Sequence, residues 1–181
     1  MKTFELRNVF GDVKFQGKAE SIQKFIENHR EELSSLKITY INFNEAILSN
    51  IKVNSIEIRH CNFKSSNLSQ SYFMNSTFWN INIEDNSDVS NLKFKNVFCE
   101  IGYFENLEFI NGKFRNCIFK YTTFRYCEFV NCQIEEVNFE NSLFMNCIFT
   151  RVSFKYVNFK KCNLEQHEYY FNDCEFHQCE F

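Results

Sequence analysis

Nine cysteines and four histidines are the residues of this chain best suited to chemistry. Thiolates act as nucleophiles, pair as disulfides or, together with histidine, hold zinc. Their spacing here argues for packing instead. Cys61, Cys117, Cys127, Cys132, Cys147, Cys162, Cys174 and Cys179 each stand two residues before a large apolar residue, and Cys99 takes the large position itself. The five-residue steps from Cys127 to Cys132 and from Cys174 to Cys179 are one unit of the repeat itself rather than ligand spacing. A free cysteine packs as a small hydrophobe, so these thiols are predicted to face inward. The histidines are scattered at His29, His60, His167 and His177. The chain has no Gly-rich phosphate loop, no nucleophile elbow and no His/Glu metal motif, the local patterns that would carry such chemistry. The sequence therefore predicts no catalytic residue, no metal ligands and no cofactor.

What positions these residues is a five-residue period. From Phe114 to Leu164 every fifth residue is large and apolar (Phe114, Phe119, Phe124, Phe129, Ile134, Phe139, Phe144, Phe149, Phe154, Phe159, Leu164), and two residues before each stands a small or β-branched one. Neither an α-helix nor a continuous strand keeps such a period on one inner surface. A coil whose wall turns a corner every five residues does, and short-period self-similarity marks a solenoid. An earlier phase runs Phe43, Leu48, Val53, Ile58, Phe63, Leu68, Phe73, Phe78, Ile83. The next central residue, Val89, comes six positions on, which places one inserted residue within Glu84-Asp85-Asn86. The phase then holds through Phe94, Cys99, Phe104 and Phe109 to about Tyr169 and slips by two to Phe171, Phe176 and Phe181. Each break predicts a bulge or short loop on a regular wall.

The units Cys61-Asn62-Phe63-Lys64-Ser65, Ser66-Asn67-Leu68-Ser69-Gln70, Val157-Asn158-Phe159-Lys160-Lys161 and Cys162-Asn163-Leu164-Glu165-Gln166 resemble the pentapeptide repeat family. Its motif is a small residue, then Asn or Asp, then Leu or Phe, then two variable residues. The resemblance runs from about Ile38 to Phe181 and implies an all-β solenoid, a right-handed quadrilateral β-helix in which four units make one square coil and residues twenty apart stack. Stacked coils would lie about 4.8 Å apart, and ladders of buried phenylalanine, each contributing about 1.5–3 kcal/mol, would fill the centre. The aromatic richness is then core and not a base-stacking platform. A filled rod also lacks the concave pocket that enzymes use, and the chain is predicted to be non-enzymatic. Two regions are expected: residues 1–37 as an N-terminal cap and residues 38–181 as the solenoid. In the cap, residues 1–18 read as a hairpin turning at Gly11-Asp12. Residues 19–36 read as an amphipathic helix capped by Ser21, with Ile22, Phe25, Ile26, His29, Leu33 and Leu36 on one face. Such a cap covers the open end of the first coil, and His29 is expected to be packed.

With chemistry set aside, function falls to the surface. A net charge of −3 argues against direct nucleic-acid binding. No run of eighteen apolar residues and no signal-peptide core is present, so a soluble cytoplasmic protein with no membrane contact is expected. Stacking by twenty puts Lys52, Lys93, Lys95, Lys113, Arg115 and Lys155 on one wall, opposed by Glu135 and Glu136. Two other walls carry Glu45, Glu84, Asp85, Asp88, Glu105, Glu108, Glu128, Glu165 and Glu168, opposed by Lys64, Arg125 and Arg151. Some relatives in the resembled family are described as DNA mimics that engage DNA gyrase or topoisomerase IV. The first functional reading is therefore a protein-binding DNA mimic that inhibits or protects a bacterial DNA-binding enzyme such as a type II topoisomerase, with Glu84, Asp85, Asp88, Glu105, Glu108 and Glu128 as its partner-binding acids. The acidic side reaches about half the charge density of a duplex, which carries about one charge per 1.7 Å. The competing reading is an interaction scaffold without DNA mimicry. It would bind a protein through an apolar patch of Phe98, Ile101, Tyr103, Ile118, Tyr121 and Tyr126, with Trp79, Leu143 and Met145 nearby; Phe98 is expected over Ile118, Ile101 over Tyr121 and Tyr103 near Tyr126. Contact of the basic wall with nucleic acid or anionic membrane is the least favoured reading. The chain stops on a repeat, leaving the last coil either open or stacked on a second copy as a homodimer.

Overall fold

A computed structural model describes residues 1–159, 161–164 and 171–181. The repeating unit shows why a five-residue period makes a square coil. In Cys117–Tyr121, Cys117 and Phe119 point inward and are buried, Ile118 and Lys120 point outward, and Tyr121 turns the corner with φ 50°. Three residues, Ile118–Lys120, form the strand. The corner residue is left-handed in unit after unit, and asparagine, which tolerates that conformation better than most residues, fills it at Asn91, Asn96, Asn106, Asn111 and Asn116.

Four such units close one coil, and each wall is a stack of parallel strands. Wall 1 is centred on Ile58, Phe78, Cys99, Phe119 and Phe139. Wall 2 is centred on Phe63, Ile83, Phe104, Phe124 and Phe144. Wall 3 carries Phe109, Phe129, Phe149 and Phe171, and wall 4 carries Val53, Phe73, Phe94, Phe114, Ile134, Phe154 and Phe176. In Glu57–Lys64, Thr77–Glu84 and Phe98–Glu105 one long strand runs round the corner from wall 1 to wall 2.

The first phase break falls where the sequence places it, and the register shifts by two across the interval expected to hold the second. The column of Lys64 shows the first: Lys64 pairs with Glu84, but Glu84 pairs with Glu105, one residue further on than a regular coil. The surplus is absorbed at Asp85 and Asn86, consecutive left-handed residues with φ 36° and 59°. Phe144 still pairs with Leu164, whereas Phe149 pairs with Phe171, so the two-residue slip lies between Leu164 and Phe171. Tyr169, the expected end of the phase, lies outside the described residues.

The interior is filled by rings stacked coil on coil. Phe104, Phe124 and Phe144 stack at 4.9 and 4.9 Å, and Phe109, Phe129 and Phe149 at 4.7 and 4.8 Å. Phe119, Phe129 and Phe149 are each no more than 2% exposed. A void of about 10 Å³ lies among Phe63, Phe73, Phe78 and their neighbours, about the smallest space that holds one water.

The cap is a hairpin of β1 (Lys2–Asn8) and β2 (Val13–Ala19), turning at Gly11 with φ 99°. A third strand, β3 (Leu36–Thr39), pairs antiparallel with β1 and parallel with Glu57–Lys64. The hairpin thus continues the sheet of wall 1 and covers its first edge. The helix is shorter than the apolar pattern of residues 19–36 predicts. Ala19 is drawn into β2, and α1 spans Ile22–Asn28, with Ser21 Oγ accepting the Lys24 amide. At its end the His29 ring Nδ1 lies 2.8 Å from the Phe25 carbonyl oxygen, competing for a helical acceptor, and Arg30–Glu32 tightens to a 3-10 turn. His29 is packed as expected, its ring 4.8 Å from Phe15 and 4.5 Å from Phe25.

Candidate interaction surfaces

Burial dominates at most of the inward thiols, while a hydrogen bond with Cys127 pulls Cys147 down. All nine cysteines are free. Burial pushes Cys61, Cys117 and Cys132 up to about 11 and Cys99 up to about 12, so at neutral pH they carry no thiolate. Several donate instead to a carbonyl of the preceding coil, as Cys132 does to Phe109 at 2.9 Å and Cys127 to Phe104 at 3.4 Å. Among the described residues no group of three or more His, Cys, Asp or Glu could hold a metal ion, and no helix is long and apolar enough to cross a membrane.

The six predicted acids divide into two sets. On wall 2 and its corner, Asp85 is paired with Lys64 at 2.9 Å and accepts from Asn106 at 2.8 Å. The hydrogen bond from Lys64 leads in holding its carboxyl below the usual range. Glu105 is paired with Arg125 at 3.2 Å, and Glu84 shares their column. On wall 3, Glu108 and Glu128 are register partners, and Asp88, bridged to Asn67, precedes Glu108 by twenty residues. These three are exposed and have no ion pair among the described residues. Glu165 and Glu168, also expected on the acidic side, lie outside the described residues.

The predicted apolar residues gather around the corner between walls 1 and 2. Phe98 and Ile118 are register partners. At the corner itself stand Ile101 (φ 56°, 46% exposed) and, one coil later, Tyr121 (φ 50°, 52% exposed). Tyr103 and Tyr126 do not stack on one another, because Tyr103 pairs in register with Thr123. Arg125 sits beside Tyr126 instead, donating to its hydroxyl at 3.5 Å and lying 4.8 Å from its ring. Lys120 covers the Tyr121 ring in the same way at 5.2 Å.

Towards the cap the same corner carries an aromatic group that sequence reasoning assembles only in part. Tyr40 stacks on His60 at 4.6 Å, and His60 meets Trp79 edge-on at 5.0 Å. Trp79 belongs to the expected exposed set; Tyr40 and His60 do not, although their spacing of one coil is the available signal.

Wall 4 carries the expected cations. Lys93 pairs in register with Lys113, and Lys95 with Arg115. Arg115 reaches Glu135 at 3.5 Å and Glu136 at 3.9 Å, and Lys155 reaches Glu135 at 3.7 Å.

No curated protein matches the chain. Among solved structures, QnrB1, a plasmid-mediated fluoroquinolone resistance protein, is 14% identical over 79% of this chain and 79% of its own, with a TM-score of 0.41. Rfr23 from the cyanobacterium Cyanothece 51142, a pentapeptide repeat protein, is 9% identical over 73% of this chain and 98% of its own, at 0.35. HetL from Nostoc sp. strain PCC 7120, a pentapeptide repeat protein involved in heterocyst differentiation regulation, is 9% identical over 91% of this chain and 94% of its own, at 0.28. The sequence profile of the pentapeptide repeats matches residues 127–166 in 8 copies. The same unit, with its left-handed corner and paired inward residues, recurs through the described coils, and the chain belongs to the pentapeptide repeat family.

Proposed function

We propose that this chain is a non-enzymatic, protein-binding solenoid that engages its partner through the corner between walls 1 and 2. The observation that carries this reading is Ile101. It is a β-branched residue at φ 56° and 46% exposed, so it bears the cost of the left-handed conformation, about 1–2 kcal/mol, while its side chain meets water. Asn80 and Asn141 occupy the same corner one coil before Ile101 and one coil after Tyr121, which is how the fold solves that position when nothing else is asked of it. Backbone outliers of this kind cluster at binding sites. Ile118, Phe98 and Tyr121 continue the surface, and Arg125 with Tyr126 adds the residue types enriched in interface hot spots. Nine free cysteines support a reducing, cytoplasmic setting. The test is a double substitution, Ile101→Asn with Tyr121→Asn, in a binding assay at high salt. Loss of a partner that wild-type chain retains is expected, with thermal stability undiminished; retention of that partner refutes the reading.

A second reading is favoured by the wall 3 column. Glu108 and Glu128 stack at about 4.8 Å, Asp88 precedes Glu108 by twenty residues, and none of the three has an ion pair among the described residues, although like charges placed opposite one another destabilise a sheet. Here the column stands in for a short run of phosphates, spaced about 3.4 Å along each DNA strand. The partner is then a bacterial DNA-binding enzyme such as DNA gyrase or topoisomerase IV, which the chain inhibits or protects. Asp88→Lys, Glu108→Lys and Glu128→Lys together should abolish binding to purified gyrase or topoisomerase IV, and wild-type binding should weaken steeply with salt. Binding that ignores both changes removes this reading.

A further inference from the structure

We propose that wall 4 holds a site for a small anion bearing a diphosphate or two neighbouring phosphates, formed by Lys93, Lys95, Lys113 and Arg115. Two adjacent strands, Lys93–Lys95 and Lys113–Arg115, lie in register, so Lys93 faces Lys113 and Lys95 faces Arg115. The four cations mark a rectangle about 4.8 Å along the stack and about 7 Å along the strands. A shallow groove of about 270 Å³ runs between them, bordered by Tyr72, Gln133 and, at the Arg115 end, Glu135. Its floor is the backbone over Phe94 and Phe114, whose rings are buried.

The fold does not account for this arrangement. Like charges directly opposite one another weaken a sheet, and alternating signs would serve solubility equally well. Lys93, Lys95 and Lys113 are exposed and have no ion pair among the described residues. Glu135 answers Arg115 and Lys155 from the next coils but does not reach the other three. Parallel strands therefore hold three uncompensated ammonium groups and one guanidinium within reach of one another, where a multivalent phosphate neutralises them with charge-assisted hydrogen bonds.

The boundaries of the patch favour a compact ligand over a polymer. In the column of Lys93 and Lys113 the preceding residue is Tyr72 and the following one Gln133. In the column of Lys95 and Arg115 the flanking residues are Met74 and Glu135. Uncompensated positive charge thus covers one step between coils, and an extended polyanion continuing along the rod meets the carboxylate of Glu135. Tyr72 at the edge adds an aromatic side chain to the lining, beside an organic group carrying the phosphates.

The experiment is an amide NMR titration of the full chain with pyrophosphate at low ionic strength, with chloride at matched ionic strength as the reference. Saturating shifts confined to residues 93–95, 113–115 and 133 are expected. Each lost cation contact should weaken binding about tenfold, so Lys93→Glu with Lys113→Glu should weaken it about a hundredfold, whereas Lys52→Glu on the same wall should leave it unchanged. Thermal unfolding of each variant confirms that the solenoid is intact. Phosphatidylcholine vesicles carrying phosphatidylinositol bisphosphate separate the sources: binding displaced by pyrophosphate assigns the site to a lipid headgroup, and no vesicle binding assigns it to a soluble phosphorylated molecule. Absence of saturating shifts overturns the proposal. So does tight binding of duplex DNA with shifts spreading to Lys52 and Lys155, which would make wall 4 an extended polyanion surface.

Discussion

Raising the pH from 8 to 10 should strip this solenoid of much of its stability, and the inward cysteines are the cause. A thiol is neutral when protonated, so burial favours the protonated form and lifts the folded-state pKa. Cys61, Cys117 and Cys132 are pushed up to about 11 and Cys99 to about 12, against about 8.5 in an unfolded chain. The sign follows directly. Below the unfolded value both states hold the proton and the stabilisation is fully present; above it the unfolded state sheds protons that the folded state retains, and stability falls until pH passes the folded value. Each thiol loses about 1.4 kcal/mol per pH unit in that window, so the four together lose about 5 kcal/mol between pH 9 and 10. That is comparable to the whole stability of an ordinary domain, about 5–15 kcal/mol. The eight tyrosines also titrate near pH 10, so the measurement is differential. Serine already occupies the same inward slot at Ser142, its Oγ donating to the Phe119 carbonyl at 3.1 Å much as Cys132 donates to Phe109. A Cys61→Ser, Cys117→Ser, Cys132→Ser chain should therefore fold. Urea titrations followed by circular dichroism from pH 7 to 10 should show it losing about 4 kcal/mol less than wild type between pH 9 and 10. Parallel stability profiles for the two chains would refute the assignment of alkaline sensitivity to buried thiols.

Relief of the left-handed corner at Ile101 by Ile101→Asn should raise stability by about 1 kcal/mol, read as a higher unfolding midpoint. Gly102→Ala should cost about 1–3 kcal/mol, because a Cβ there meets Cys99 Sγ at 2.8 Å and the Phe104 ring at 2.9 Å. Gly112→Ala, whose nearest contact is the Phe114 ring edge at 3.1 Å, should cost less in the same denaturant titration. Phe124→Ala, removing a ring stacked between Phe104 and Phe144 at 4.9 Å on each side, should cost about 3–5 kcal/mol.

The architecture was legible because a strict period leaves the chain little choice. Once Phe114 to Leu164 demands a corner every five residues, the inward slots, the wall membership of Lys93 and Lys113 and both phase breaks follow by counting. The corner asparagines carried a further signal that the period alone does not decode, since their role is conformational and not hydrophobic. The cap was read less well. The apolar face through Leu33 and Leu36 looks helical by spacing, yet Leu36 belongs to β3, because pairing with β1 and the first coil satisfies more backbone groups than another helical turn. Surface pairing was legible only in part. Glu105 and Arg125 stand one coil apart in one column, and counting finds their ion pair. Lys64 instead bypasses Glu84, its register partner, for Asp85, because the inserted residue swings Asp85 out of the column. Which acid on this side Lys64 neutralises, Asp85 and not Glu84, depends on that local excursion.

The single surplus residue at Asp85 and Asn86 shows something about how such a chain can change. The stack above it resumes with its ladders intact, Thr77 on Phe98 and then Phe104 on Phe124, so a miscounted residue is confined to one edge and the winding recovers at once. Whole turns should be still easier to gain or lose: excising residues 106–125 would join Glu105 to Tyr126, which takes the corner that Asn106 held, and leave each remaining side chain on its own face. The distance between any two surface features along the axis is then a matter of copy number, adjustable in steps of about 4.8 Å, and evolution can set the reach of the molecule without redesigning its interior.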